Sequence, residues 1–274
     1  MSERATSSNA LRRELHARAA ARSIACDISY GASASVVYAV DEGGAHGNFL
    51  TASYRRILAD AQWARRLGKA YTASARLPRA QDRWRGELEC ASSSDALLMN
   101  VFCYPRALHR PQLCSLLGVE AGLRPNFGVR ADLPMHNDEV DRTEVDMVLG
   151  DLIVEAKLTE GGFGTAARSR VQRYIDFAEI FDRTDLPWAE DKLLGYQLVR
   201  GVMAAHRSGG RFLLLCDARR PDLEEMWFRV IRAVTGSALR SRLQLLHWQE
   251  LAAATSLPMR AFLAEKYGIE SRVT

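Results

Sequence analysis

Asp146 and the triplet Glu155-Ala156-Lys157 stand on two short apolar runs separated by Gly150-Asp151. Two carboxylates and an amine, if brought together, are the parts of a metal-assisted phosphodiester hydrolase. The acids seat a hard dication such as Mg²⁺, whose remaining positions stay open to water and phosphate oxygens. The ammonium holds or deprotonates the attacking water and stabilises charge on the phosphorane, while the ion lowers the water's pKa. Lysine is also the cation whose pKa is tunable, and only four lysines (Lys69, Lys157, Lys192, Lys266) stand among the 37 Lys plus Arg.

A hairpin must position these groups. With Gly150 and Asp151 as the central residues of a two-residue turn, strands 143–149 and 152–157 pair so that partner numbers sum to 301. Asp146 then faces Glu155, and Glu144 faces Lys157. Alternation places Glu144, Asp146, Val148, Ile153, Glu155 and Lys157 on one face and Val145, Met147, Leu149, Leu152, Val154 and Ala156 on the other. The second face is wholly apolar, so burial fixes the register. Acids directly opposed are destabilising unless something offsets them, and a divalent cation does so. The competing reading is a half-exposed hairpin with a Glu144–Lys157 ion pair and a solvated Asp146. Glu190-Asp191-Lys192 also matches the triplet, but it precedes a run of helical period (Leu193, Leu194, Gln197, Leu198, Val202), where i and i+2 do not face each other. It reads as a solvated helix start.

Composition bounds the rest. The 274 residues, 47% of them hydrophobic, suffice for a sizeable core, read as a mainly helical region over 1–80 and a catalytic domain over 81–274. Cys26, Cys90, Cys103, Cys114 and Cys216 form no C-x-x-C pair, and the six histidines show no ligand spacing, which argues against a disulfide framework or structural zinc and for a reducing, cytoplasmic setting. No run approaches the about 18 apolar residues of a membrane span, and the first 25 residues carry no apolar leader core. Residues 1–90 hold 14 Lys/Arg against 9 Asp/Glu. The basic run from Thr51 to Lys69, with Arg55, Arg56, Arg65, Arg66, Tyr54 and Trp63, reads either as a solvated helix face over a partly buried aromatic side or as a track for a phosphate backbone.

Along the chain, residues 1–25 read as a frayed or loosely helical arm, followed by a short apolar segment at 35–40 and a helix over 51–69. A capping box at Ser92-Ser93-Ser94-Asp95 opens a helix that Pro105 ends, and Pro111 and Gly118 bracket another. Phe127–Arg130 is a candidate strand before the hairpin. Gly161-Gly162-Phe163-Gly164 reads as a flexible loop without a phosphate-cradle sequence. Helices at 166–182 and 189–207, a buried strand at 211–216, a helix at 221–234, a strand at 243–248 and a helix near 258–267 complete the order.

An acid on the first hairpin strand, E-x-K on the next, then a helix and a buried strand resemble the PD-(D/E)XK superfamily of restriction-endonuclease-like nucleases over residues 85–250. The resemblance implies an α/β fold, an αβββαβ core with a mixed central sheet flanked by helices, here with an N-terminal helical extension. It also implies Mg²⁺, with Mn²⁺ as substitute, DNA as partner, and a possible homodimer for cutting both strands. Val145 stands where the family name has proline. By position, Asp146, Glu155 and the Ala156 carbonyl become metal ligands and Lys157 serves the water. An additional acid is implied upstream, for which Glu89, Glu87 and Glu144 compete, and Gln197 is the implied helix amide. The expected activity is that of a Mg²⁺-dependent deoxyribonuclease. Its rivals are a catalytically silent nucleic-acid-binding or assembly module with this fold and a metal enzyme acting on small phosphates.

Overall fold

A computed structural model describes residues 6–22, 24, 26–28, 35–69 and 86–271. Its contacts divide the chain into a sheet unit, Arg124–His247, joined by the N-terminal residues through Thr6, and a helical unit, Ser7–Leu123 with Trp248–Thr274. The expected boundary at 80/81 lies outside the described residues. Residues 86–123 group with the helical unit and not with the sheet.

The sheet unit is mixed α/β. Its central sheet has five strands in the spatial order Leu243–His247, Arg211–Cys216, Leu152–Ala156, Glu144–Leu149, Asn126–Arg130. The last three are antiparallel neighbours, and the Arg211–Cys216 strand lies parallel to both of its neighbours. This follows from the connections: a two-residue turn suffices within the hairpin, whereas a parallel return needs a crossover, and helices supply both. The hairpin register is the expected one, with Met147 opposite Val154, Val148 opposite Ile153 and Leu149 opposite Leu152. Gly150 takes φ +61 while Asp151 stays out of the left-handed region, as a II′ turn with glycine first requires.

One face of this sheet is covered by the Tyr196–Ser208 helix, which sets Leu198, Val199, Val202, Met203 and Ala205 on Ile153, Phe212 and Leu214. The Pro221–Arg232 helix adds Leu223, Trp227 and Val230 to the same core. Met147, Leu149, Leu152, Val154 and Ala156, of the reverse face, are also buried, as their apolar pattern demanded. Helix and sheet meet most closely at Gly201, where a Cβ would lie 2.2 to 2.7 Å from three ring carbons of buried Phe212. Gly201→Ala should therefore cost about 1–3 kcal/mol through overpacking, read as a lower urea midpoint with unchanged slope.

Several expected elements differ. The helix read at 189–207 starts only at Tyr196, because Lys192–Leu194 pairs with Trp188–Ala189 and Thr165–Ala167 in a small three-stranded sheet and Gly195 turns the chain at φ +72. Glu190-Asp191-Lys192 thus begins as a solvated hairpin turn, with Glu190 at φ +54 and Asp191 95% exposed, and not as a helix start. The helix read at 166–182 is two short turns, Arg168–Val171 and Phe177–Ile180. In both stretches apolar residues at helical spacing are buried by tertiary packing instead.

In the helical unit, the arm takes the helical alternative as the helix Ser8–Ala21, capped by Ser7 and burying Leu11, Leu15 and Ala19 at helical spacing. The helix read over 51–69 breaks into Thr51–Ala59 and Ala61–Leu67 because Asp60 is extended and its carboxylate accepts from Gln62 and Trp63 N–H. Tyr54 and Trp63 are buried, and Arg66 and Lys69 hold buried Asp95 at 3.1 and 2.6 Å. The partly buried aromatic side expected here is thus present, and Tyr54 and Trp63 are not open to stack on bases beside a phosphate track. No helix among the described residues is long and apolar enough to cross a membrane.

Candidate active site

The strand pair that carries the acids opens where they stand. In a two-residue hairpin, hydrogen-bonded rungs alternate outward from the turn, so after Leu149–Leu152 and Met147–Val154 the next would join Val145 to Ala156. The pairing ends before that rung. Ala156 N instead donates to Asp146 Oδ2 at 2.8 Å. The Asp146 side chain is thereby fastened to the backbone of the second strand. Within a strand the N–H and C=O of one residue project toward the same neighbour, so the Ala156 carbonyl faces the gap left by the missing rung.

Glu155 and Lys157, alternate residues on the second strand, point to the face under the Tyr196–Ser208 helix, and each is only 5% exposed. Glu155 Oε1 lies 2.7 Å from Lys157 Nζ. The contact is an ion pair lacking hydrogen-bond geometry, so this buried oxygen has no donor aligned to it. Burial opposes the charge on Lys157, but the carboxylates of Glu155, Asp146 and Glu160 outweigh burial and hold the ammonium above the usual lysine range. The half-exposed surface hairpin weighed in the sequence is thus excluded.

One ammonium among three carboxyl groups leaves the cluster short of positive charge. A buried, undonated carboxylate oxygen beside an aspartate and an inward-facing carbonyl suits a hard cation. Among the described residues no three His, Cys, Asp or Glu side chains converge as a ready ligand cage. A cation here would be held by Asp146, Glu155 and the Ala156 carbonyl, with water and substrate filling the rest, which fits Mg²⁺ better than zinc.

The segment after Lys157 is held by residues that local sequence patterns do not reveal. Arg220, fully buried, donates to the carbonyls of Leu158 (3.0 Å) and Glu160 (2.8 Å) while its own charge is met by Asp222 at 2.8 Å. Glu160 Oε2 accepts from Leu158 N at 2.6 Å. The Gly161–Gly164 stretch, expected as a flexible loop, closes the N-terminus of the Tyr196–Ser208 helix: Gln197 N donates to Phe163 O (2.9 Å) and Tyr196 N to Gly164 O (3.3 Å). Two orphan helix donors are satisfied in this way. Phe163 is buried, with Lys157 Nζ 5.8 Å from its ring centre.

Of the remaining sequence candidates, Gln197 sits half-buried in the first turn of that helix, not mid-helix as expected. Glu144 is exposed, with Arg130 as its register partner. Glu87 and Glu89 belong to the helical unit, where the Glu89 carboxylate folds back onto Gly86 N.

A second buried cluster in the sheet unit was missed altogether. Asp141, just before the acid-bearing strand, accepts from Thr143 N (2.8 Å), Thr143 Oγ1 (2.5 Å), Tyr174 Oη and Arg200 Nε (3.0 Å), and Arg200 Nη2 donates to Thr143 O (2.9 Å). Tyr196 Oη lies 2.5 Å from Tyr174 Oη and receives Arg170 Nε at 3.0 Å. The only trace in the sequence was Tyr196 and Arg200 one helical turn apart, which gives no hint of a partner 59 residues upstream.

Over residues 14–268 the chain matches the family described as Restriction Endonuclease associating with ARP. No curated protein and no solved structure matches it.

Proposed function

The chain belongs to the family described as Restriction Endonuclease associating with ARP, part of the restriction-endonuclease-like superfamily, and from that premise we propose that it is a Mg²⁺-dependent endonuclease hydrolysing phosphodiester bonds of DNA on an αβββαβ core. The observation that carries the reading is the opened rung, where Asp146 is fastened to Ala156 N with Glu155 and Lys157 buried alongside. Asp146, Glu155 and the Ala156 carbonyl would hold the ion, with Mn²⁺ as substitute. When bound, it supplies Lewis-acid activation of water and neutralisation of phosphate charge.

The chain's own residues do the rest. The hydrogen bond from Ala156 N leaves the Asp146 carboxylate little freedom to reorganise. Glu155 pairs with the Lys157 ammonium, which would donate to a phosphate oxygen or the attacking water once substrate is bound. Arg220 fixes the backbone of residues 158–160, just after the lysine. Gln197, in the first turn of the covering helix, would orient phosphate or water.

The test is incubation of supercoiled plasmid with the purified chain. Nicked or linear DNA should appear with Mg²⁺ or Mn²⁺ and vanish with chelator, and linear product rising steeply with protein concentration would support paired copies cutting both strands. DNA bound but never cut with either ion would replace this reading by that of a silent binding module.

A further inference from the structure

We propose that the arginine-lined cleft beside the acid-bearing strand grips the DNA backbone at phosphates next to the one cut, an inference that rests on the nuclease reading. The cleft measures about 550 Å³ and is walled by residues 139–143 on one side and 169–173 on the other. Arg142, Arg170 and Arg173 line it, with side chains 68%, 52% and 39% exposed. Guanidinium groups that reach solvent over a concave surface match the fork geometry that recognises phosphate oxygens.

The cleft is built, not incidental. Its two walls are tied by His136 N to Arg173 O at 2.7 Å and by the bridge between Met135 and Tyr174. Beneath it, Arg200 cancels the charge of Asp141 and pins the Thr143 carbonyl, so the acid in the cleft floor does not repel an anion. Arg170 is aimed by its bond to Tyr196 Oη, and its Nη2 lies a long 3.7 Å from Asp141, whose closer partner is Arg200 at 3.0 Å, while half of the side chain stays exposed. Arg142 meets only the exposed Asp132 at 3.8 Å, and Arg173 pairs with the exposed Glu139, contacts that a phosphate can displace.

Position selects the ligand. Thr143 lies in the cleft wall and Asp146 three residues further along the same stretch, about 10 Å at 3.3 Å per residue. A DNA strand, with one phosphate per about 3.4 Å of axis, spans that distance in about three nucleotides. A strand seated on Asp146 therefore runs its neighbouring phosphates past the arginines.

The experiment measures binding of a fluorescein-labelled DNA duplex across a salt series, in an Asp146→Ala background that cannot cut. Replacing Arg142, Arg170 and Arg173 together by alanine should lower the slope of log affinity against log salt by about 2.7, the value for three phosphate contacts. The triple arginine-to-lysine variant should keep most of the slope, which separates lost charge from lost folding. An unchanged slope in the alanine variant, with the wild-type chain still cutting plasmid, would overturn the cleft assignment and leave the nuclease reading intact. A wild-type chain that neither binds nor cuts DNA would overturn both. A duplex RNA that displaces the DNA at lower concentration would also overturn the assignment.

Discussion

Asp146→Asn and Lys157→Ala should each lower Mg²⁺-supported DNA cleavage by about 10³-fold, with DNA affinity within about twofold of wild type. Asparagine at 146 keeps an oxygen to accept from Ala156 N, so the strand pair stays closed on the side chain and only the charge that would seat the ion is lost. Lys157→Ala removes the donor facing the reacting phosphate and leaves the buried Glu155 carboxylate without its ion-pair partner. That variant should therefore also melt earlier, whereas Asp146→Asn should melt with wild type. Single-turnover cleavage of a labelled duplex, together with anisotropy binding, separates the effects. Wild-type cleavage by Asp146→Asn would remove the opened rung from the chemistry.

The second large effect is on stability. Asp141→Asn should cost about 3 kcal/mol at neutral pH, because it strips the charge partner from buried Arg200. Burial alone would raise the Asp141 pKa, but hydrogen bonds from Thr143 and Tyr174 and the charge of Arg200 win and hold it well below the ordinary 3.8. The sign follows. A carboxylate depressed in the folded state contributes stability that is fully present above the ordinary value and is lost as pH falls from there toward the folded value. Wild type should accordingly lose stability more steeply than Asp141→Asn below about pH 4, and the gap between their urea midpoints should narrow. A gap of constant size from pH 7 to pH 3 would mean that the pair adds nothing through its charge.

The hairpin was legible because three local signals agreed: period-two apolar alternation, a glycine-first turn and charges confined to one face. The Arg211–Cys216 strand was legible for a related reason, since a short run buried on both faces has little else to form. The reading failed at 189–207, where Leu193 and Leu194 keep helical spacing with Leu198 and Val202 but lie in a strand. Periodicity records which residues are buried, not which partner buries them. Over 8–21 the structure takes the helical alternative, through a regular Leu11, Leu15, Ala19 stripe in an Ala- and Arg-rich stretch.

The same distinction applies to the site. Register and side-chain alternation are properties of neighbouring residues, so the sequence by itself determined that Asp146, Glu155 and Lys157 would share one face of a strand pair. Only the tertiary structure decided that the pair opens at Ala156, that Arg220 anchors the backbone just after the lysine, and that Asp141 meets Arg200 under a cleft of arginines. The Arg220 and Asp141–Arg200 contacts join residues 59 to 62 positions apart, and their free energy depends on burial, which no local pattern encodes.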